Sequence, residues 1–541
     1  MKILFLGIFA LSIIAIINVG TIYAQYGGPV MGPSATISDV ATSANNVYVT
    51  WNGEDQDTKS PAAFLKSSND NGASFGKTIN LAQYGASPHD LFRPNVNMAS
   101  SENNLYLAWS DWKPNTLDSD IFFMKSSDGA STFDKPFKIK TGNGISTVVS
   151  ISSSEDNVYV LMYNNTDSDY SDLLLVTSND NGETFGKPLS ISTNHKLMIG
   201  NVQMLTFKNN IYIVASGSYW GSQNGVVMLT IADEVLAFIP QVGVSGNDVY
   251  VIWTQMVERG SALFFEKSVD GGVSFGNKLQ INQDGDSRWP QMIVSQNNVF
   301  VKWVQSFPSG GDKLLLSKST DKGNTFSAPL NLGGYTAGFD FSQIGILENG
   351  NMFAVWTGED DPSYSHSGIS FRKSTDGGAT FGDIYDLNVA SKTAILNPKI
   401  ALIQNNIYVA GDSGSAGIDD ITFRASSDSG NTFTGPTNLN SDEPVQSSNP
   451  SQLVPIPQFK PDIPTGVPAN SQFSNSQNAS FVLGQLDFMS NSANPTASTF
   501  SAPHFVAFDS QGNLWVSLME ETTGCLSLLL HLLLANQHQW Y

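Results

Sequence analysis

Apolar and polar residues alternate in short runs along the chain, and one such run recurs throughout its length. Its clearest copy is residues 46–51, where an alternating strand follows a polar turn. Alternation with a period of two predicts a half-buried β-strand. Copies about fifty residues apart begin at Asn46, Asn104, Asn157, Asn210, Asp248, Asn298, Asn351 and Asn406. The pattern therefore predicts eight repeating units.

Each full unit contains four strand-like runs, which in unit six are residues 291–295, 299–304, 313–318 and 326–332. Four antiparallel strands repeated radially describe an all-β propeller, whose sheets are buried against their neighbours. Unit four is eroded, because residues 226–233 supply a third strand but no full fourth one follows. We expect eight blades, with seven blades or two smaller rings as alternatives.

A second repeated phrase, Ser-x-Asp-x-Gly-x-Thr-Phe, follows the third strand of most units. This residue pattern is typical of a tight turn, because the Asp carboxylate accepts hydrogen bonds from the turn amides and the Gly adopts a positive φ. One copy is slipped, with Gly129 one place early and Ala130 in the glycine position. The seven aspartates of this phrase are Asp70, Asp128, Asp180, Asp270, Asp321, Asp376 and Asp428.

These octapeptides resemble the Asp-box, or BNR repeat, of sialidase-like β-propellers, and the resemblance covers residues 34–440. A motif that occurs seven times is an element of the fold rather than a unique active site. We therefore predict that the Asp-box aspartates are structural.

The N-terminal sequence predicts that the chain is exported from the cytoplasm. Lys2 precedes an apolar run, and small residues before Gln25 mark a cleavage site, so residues 1–24 are predicted to be a signal peptide. An uncleaved membrane anchor is the alternative. In either case the remaining chain is expected to be extracellular or on the cell surface.

The net charge of the chain limits the classes of partner that it is expected to bind. The 541 residues carry a formal net charge of −21, and charged residues make up only 14% of the chain. Nucleic acid and anionic membrane surfaces are therefore excluded as expected partners, whereas a cation or a polar neutral ligand fits. The single Cys525 rules out an internal disulfide.

The composition changes after Asn440. Residues 441–478 are rich in Pro, Ser and Asn and are predicted to be a disordered linker. The stretches 479–485 (ASFVLGQ), 503–509 (PHFVAFD) and 512–516 (GNLWV) resemble the opening of an NHL-repeat propeller, so residues 479–517 are interpreted as a partial repeat. Residues 518–541 form an aberrant apolar tail, either native or the product of a truncation or frameshift.

Strand direction assigns the loops to two faces of a propeller. The Asp-boxes lie on one face, here called the Asp-box face. The connections between second and third strands and between blades lie on the other, here called the loop face. The loop face is acidic, and Asp167, Asp169 and Asp172 have oxygen ligands at a spacing that suits Ca²⁺. A solvated acidic turn is the alternative, and no other cofactor is expected.

The family resemblance also implies a set of catalytic residues on the loop face. Sialidases grip a substrate carboxylate with three Arg and use an Asp acid/base and a Tyr nucleophile helped by Glu. The matching residues here are Arg93, Arg259, Arg288, Asp111, Tyr364 and Glu359. The match is incomplete, because the Arg93 motif lacks an Ile, Tyr335 competes with Tyr364, and sialidases have six blades.

Trp residues end the second strands of five units, and recurrence by blade favours packing between blades over a sugar platform. Together these features predict a secreted or cell-surface propeller that acts as a binding or adhesion module for glycan or protein. An exo-α-sialidase-type glycoside hydrolase and a surface-layer scaffold are the alternatives, and catalysis is not the favoured one.

Overall fold

The computed structural model describes most of the repeat region and part of the C-terminal region. The described residues are 35–55, 57–85, 96–112, 119–139, 145–167, 170–191, 202–207, 210–216, 220–223, 226–231, 237–257, 260–282, 286–307, 312–335, 342–357, 368–387, 395–413, 420–453, 455, 503–508, 514–518 and 528–532. The chain divides into two units, Met1–Gln458 and Phe459–Tyr541. The predicted signal peptide, residues 1–24, lies outside the described residues.

The first four blades follow one another along the chain. Blade one contains β1 Thr36–Ser43, β2 Asn46–Glu54, β3 Pro61–Ser68, β4 Ser74–Phe75 and β5 Ile79–Asn80, and a 3-10 helix at Leu81–Tyr84 follows it. Blade two contains β6 Val96–Ser101, β7 Asn104–Trp112, β8 Ser119–Ser126 and β9 Phe137–Ile139. Blade three contains β10 Ile145–Ser154, β11 Asn157–Asp167, β12 Tyr170–Ser178 and β13 Leu189–Ser190. Blade four contains β14 Val202–Phe207, β15 Asn210–Ser216, β16 Trp220–Gln223 and β17 Val226–Ile231.

The next four blades repeat the pattern. Blade five contains β18 Ala237–Ser245, β19 Asp248–Val257, β20 Gly260–Ser268 and β21 Leu279–Gln280. Blade six contains β22 Asp286–Ser295, β23 Asn298–Ser306, β24 Asp312–Ser319 and β25 Leu330–Tyr335. Blade seven contains β26 Ser342–Ile346, β27 Met352–Thr357, β28 Ile369–Ser374 and β29 Tyr385–Asp386. Blade eight contains β30 Ile395–Ile403, β31 Asn406–Ser413, β32 Ile421–Ser426, β33 Thr432–Phe433 and β34 Thr437–Asn438.

These strands form eight four-stranded sheets in the described part of the chain. In seven of them the strands pair antiparallel in chain order, as the alternating sequence predicts. The innermost strand of each blade contacts that of the next, and β1 contacts β30, so the ring closes. One hydrophobic cluster accordingly joins Trp51 of blade one to Tyr408 and Phe423 of blade eight. The protein is an all-β, eight-bladed propeller.

Blade four does not follow the antiparallel chain order of the other seven blades. Its third strand by position is β17, which lies parallel to β15, while β16 occupies the outer edge. The blade has no Asp-box, and the Asp-box of blade five lies beside it. Its glycine, Gly272, is half-buried, whereas the equivalent position is buried in the other six Asp-boxes. The erosion of blade four thus leaves this turn of blade five less covered than the others.

The chain continues to contact the propeller beyond Asn440. Two further strands, β35 Val445–Gln446 and β36 Ser451–Gln452, pair with β4 of blade one and β33 of blade eight. Residues 441–452, here called the closing segment, therefore bridge the junction between the first and last blades. This corrects the predicted linker boundary, because the polar composition after Asn440 conceals backbone pairing that has no apolar signature.

The second unit contains one three-stranded sheet among its described residues. Its strands are β37 Pro503–Phe508, β38 Leu514–Leu518 and β39 Leu528–Leu532, paired antiparallel in chain order. The first two fall in the partial NHL-like repeat, and the third falls in the apolar tail. Among the described residues, no helix is long and apolar enough to cross a membrane.

Candidate functional site

Each Asp-box is a turn closed by its own side chains. At Asp180, the Ser178 hydroxyl donates to Oδ1 at 2.6 Å, and the Thr184 hydroxyl donates to Oδ2 at 2.6 Å. The Thr184 N–H also donates to Oδ1 at 2.9 Å, and the Gly182 N–H donates to Ser178 Oγ at 2.8 Å. The same arrangement recurs at Asp70, Asp128, Asp270, Asp321, Asp376 and Asp428.

These hydrogen bonds stabilise the ionised carboxylates. Hydroxyl donors lower the pKa to about 2 at three of them, with Ser178 acting on Asp180, Ser268 on Asp270 and Thr325 on Asp321. Both carboxylate oxygens are occupied by the turn itself. The Asp-box aspartates consequently have little capacity left to hold a ligand.

A polar groove of about 410 Å³ lies on the Asp-box face between blades one and two. Asn69, Asp70, Ser74 and Lys77 of blade one line it together with Ser131 of blade two. Asp70 is engaged by Ser68 and Ser74 in its own turn. The groove therefore offers hydroxyl, amide and ammonium groups but no free catalytic carboxylate among its described residues.

The structure describes only two of the six residues that the sialidase resemblance implies. Arg288 lies in β22 of blade six, and Asp111 lies in β7 of blade two. The other four, Arg93, Arg259, Glu359 and Tyr364, lie outside the described residues.

Arg288 is held by carboxylates of its own blade. Its Nη2 donates to Asp312 Oδ2 at 2.9 Å and to the Ser306 hydroxyl, and its Nε lies 3.6 Å from Asp286 Oδ2. The guanidinium also stacks over the Trp289 ring, with its Cζ 5.0 Å from the ring centroid. Two carboxylates thus neutralise this arginine, which is the arrangement of a structural ion pair.

Asp111 lies directly opposite Asp120 across the β7–β8 pair. Burial raises the pKa of Asp111, and the negative charge of Asp120 raises it further. Lys138 Nζ lies 2.5 Å from Asp120 Oδ1, so Lys138 forms its ion pair with Asp120. A carboxyl with a raised pKa suits a general acid, yet no described nucleophile accompanies it.

The predicted Ca²⁺ site falls at the hairpin between β11 and β12. Asp172 is exposed and lies opposite Asn164, while Asp169 and the side chain of Asp167 lie outside the described residues. Within the described ranges, no group of three or more His, Cys, Asp or Glu side chains is arranged to hold a metal ion.

The repeated tryptophans pack between blades. They are all buried, and most stack on a Phe of the third strand, as Trp109 does on Phe122 at 6.0 Å between centroids. The Trp109 indole N–H donates to the Gly85 carbonyl at 3.2 Å. Buried indoles cannot serve as sugar platforms. The equivalent residues are Trp51, Trp253, Trp303 and Trp356.

Sequence reasoning missed a group of charged residues where blades one and eight meet. Asp39 and Lys399 lie half-buried on the innermost strands, and Asp412 lies buried on the second strand of blade eight. The available signal was positional, because blades four to seven carry Gln where blades one and eight carry Asp39 and Lys399.

No protein-family model and no curated protein matches the chain. Solved structures similar to it include a PL25 ulvan lyase bound to -[GlcA(1-4)Rha3S]-, with 12% identity, 74% of this chain and 96% of that chain covered, and a TM-score of 0.41. A Hadza microbial sialidase shows 12% identity, coverage of 67% and 73%, and a TM-score of 0.33. The β-propeller domain of the trilobed protease from Pyrococcus furiosus shows 8% identity, coverage of 76% and 98%, and a TM-score of 0.37. These likenesses are too remote to assign an activity.

Proposed function

We propose that this chain is an exported binding module that recognises a polar glycan without net negative charge on the loop face of its propeller. The observation that carries the proposal is the state of Arg288. Asp286 and Asp312 neutralise its guanidinium, so it has little positive charge to offer an anionic sugar.

The charges around Arg288 support the same class of ligand. Exposed or partly exposed acids on the described part of the loop face include Asp57, Asp111, Asp172 and Asp420. Their summed field repels anions and favours neutral or cationic groups. Carboxylate and amide oxygens accept hydrogen bonds from sugar hydroxyls. A protein partner with a basic surface is the alternative occupant.

The sialidase hypothesis requires Arg93, Arg259 and Arg288 to converge on one carboxylate. They belong to blades two, five and six, and blades two and six are opposite each other in an eight-bladed ring. Convergence across that channel would also need Arg288 to leave Asp286 and Asp312. A glycoside hydrolase is therefore the weaker proposal.

A glycan array probed with the chain lacking residues 1–24 tests the proposal. Neutral glycans should bind and α-sialosides should not, and a fluorogenic α-sialoside should release no product. Asp57→Asn with Asp172→Asn on the loop face should alter binding. Asp134→Asn, an exposed acid on the Asp-box face, should leave it unchanged. Binding restricted to sialylated glycans, or turnover lost in Arg288→Ala, would overturn the proposal.

A further inference from the structure

Lysine side chains connect neighbouring blades on the Asp-box face. The residue directly before the first Ser of an Asp-box is Lys in blades two, five, six and seven, and its Nζ donates to the Asp-box of the following blade. Every acceptor is either the residue after the Asp-box aspartate or the third residue after it. The pairs are Lys125 with the Asn181 carbonyl at 3.4 Å and with Glu183, Lys267 with Asn324 Oδ1 at 3.4 Å, Lys318 with the Gly377 carbonyl at 2.6 Å, and Lys373 with Asn431 Oδ1.

Two further junctions join adjacent Asp-boxes but have no lysine at this position. Between blades eight and one the residue is Ala425, and β35 of the closing segment pairs with β4 of the blade-one Asp-box instead. Between blades one and two the residue is Ser67, whose side chain is too short to reach the next Asp-box. The polar groove of about 410 Å³ lies at this junction, and Ser67 lines it. The groove therefore occupies the place that a lysine side chain fills at four other junctions.

The lining of this groove has the same chemistry as the lysine sites. Ser131 is the third residue after Asp128, and its hydroxyl donates to the Asp128 carbonyl at 3.0 Å, so its oxygen can accept a hydrogen bond. Asn69 forms part of the wall beside Gly129, where its Oδ1 would lie 3.0 Å from an added Cβ. Ile79 adds an apolar surface, along which the methylenes of a long cationic side chain can be buried.

The charges of the lining suit a cation held by neutral acceptors. Asp70 and Lys77 are both in the lining, so their formal charges cancel. Neutral acceptors are sufficient for an ammonium on this face, because Lys318 donates to the carbonyl oxygen of Gly377. Lys77 is exposed on a flexible four-carbon stem, so its ammonium can extend into solvent. The net charge of −21 favours a cationic ligand over an anionic one.

We infer that the groove between blades one and two binds a primary ammonium group on an aliphatic chain, as carried by a lysine side chain or a linear amine. The ammonium donates to Ser131 of the blade-two Asp-box, and its methylenes lie along Ile79. The volume of about 410 Å³ is within the range of about 300–1,000 Å³ that is usual for small-molecule sites. This site lies on the opposite face from the proposed glycan site, so its test is independent of that proposal.

A ligand-observed NMR titration of the whole chain with n-butylammonium tests the inference, because this probe has the stem and head group of a lysine side chain. The wild type should bind it, and Ser67→Lys should abolish binding by filling the groove from within. Thr177→Lys is the matched control, since it adds the same charge at the equivalent position of blade three, beside the blade that has no Asp-box. It should bind like the wild type. Unchanged binding in Ser67→Lys would overturn the proposal.

The reciprocal variant creates the same site at another junction. Lys318→Ser removes the donor to the Gly377 carbonyl and should lower the melting temperature. Since a ligand that binds only the folded state stabilises it, n-butylammonium should raise the melting temperature of this variant more than that of the wild type. Tetramethylammonium, which has the same charge but no N–H donor, should have no such effect. An equal rise in the variant and the wild type would contradict the account of the groove as a lysine site.

Two further probes identify the source of the ammonium. Acetyl-lysine methylamide carries the side chain on a peptide unit, whereas diaminopentane is a free linear amine. Binding of the first would indicate a protein partner, binding of the diamine alone would indicate a free amine, and binding of neither would overturn the proposal. Lys77→Gln should retain or strengthen binding, because it removes a competing cation. Loss of binding in that variant would also contradict the proposal, since Lys77 would then be the group that holds the ligand.

Discussion

Ser447 Oγ donates a hydrogen bond of 2.7 Å to the carbonyl oxygen of Gly72, although 375 residues separate the two along the chain. The Ser447 N–H donates to the next carbonyl, that of Ala73, at 2.9 Å. These contacts attach the closing segment to the Asp-box of blade one. The residues that directly follow blade eight are therefore part of the propeller and fasten its ends.

Truncation should distinguish this segment from the rest of the C-terminal region. Ending the chain at Asn440 removes the Glu443 carbonyl that accepts from buried Lys66 Nζ at 2.9 Å, and the Ser441 carbonyl that accepts from Thr78 at 2.7 Å. Each lost hydrogen bond costs about 1 kcal/mol. We expect the melting temperature of that variant to drop clearly.

A chain ending at Gln458 is the matched control, because it retains the closing segment and removes the second unit. Its melting temperature should equal that of the whole chain. Equal melting temperatures for both truncated chains would show that the closing segment contributes nothing.

The repeats and the blade number could be predicted because all eight units repeat the same polar turn and the alternating strand that follows it. The closing segment could not, because its contacts are backbone pairs, single hydroxyls and the one apolar side chain of Val445, which leave no periodic trace in residues 441–452. The pairing of Arg288 with Asp312 was equally hidden, since it depends on the register of β22, β23 and β24. Asp39 is noticed only when the innermost strands of all blades are compared, and Asp412 only when their second strands are compared.

The side chains around the Asp-box should limit the size of the residue that can occupy its glycine position. Gly377 and Gly378 both have positive φ, of 67° and 80°, so an Ala at either is strained. A Cβ at Gly378 would also lie 2.6 Å from Met352 Sδ and 3.1 Å from Phe300 of blade six. Gly378→Ala should therefore lower the melting temperature more than Gly377→Ala, as thermal unfolding would show.

Blade two provides a natural comparison for this pair. Ala130 occupies the equivalent glycine position with a φ of 65°, and it packs in the same cluster as Leu65 of blade one. The Ser126 hydroxyl still accepts the N–H of that position at 2.9 Å. The turn of blade two thus accommodates a methyl group at the glycine position. Equal destabilisation in the two Gly variants would contradict this steric account.

Acid should weaken the propeller through its Asp-boxes. The folded-state pKa of Asp321 is lowered to about 2, chiefly by the Thr325 hydroxyl, whereas an unfolded Asp titrates near 3.9. The stabilisation is therefore complete above about pH 4 and is lost as the pH falls through about 2. Urea unfolding between pH 2 and pH 5 should show stability rising with pH. Asp321→Asn should reduce that slope, and an unchanged slope would exclude this carboxylate as a contributor.

Arg288 provides the last prediction, because a structural ion pair and a substrate-binding arginine respond differently to substitution. Arg288→Gln leaves Asp286 and Asp312 without their shared cation and exposes the Trp289 ring. The pair is about one third exposed, so screening limits the expected loss of unfolding free energy to about 1 kcal/mol. Adding Asp312→Asn should recover part of that loss, which a double-mutant cycle of melting or urea data would measure. Glycan binding should persist in both variants, since the arginine already has its anionic partners. A variant that keeps full stability but loses binding or turnover of a sialylated substrate would instead make Arg288 part of a carboxylate-binding site.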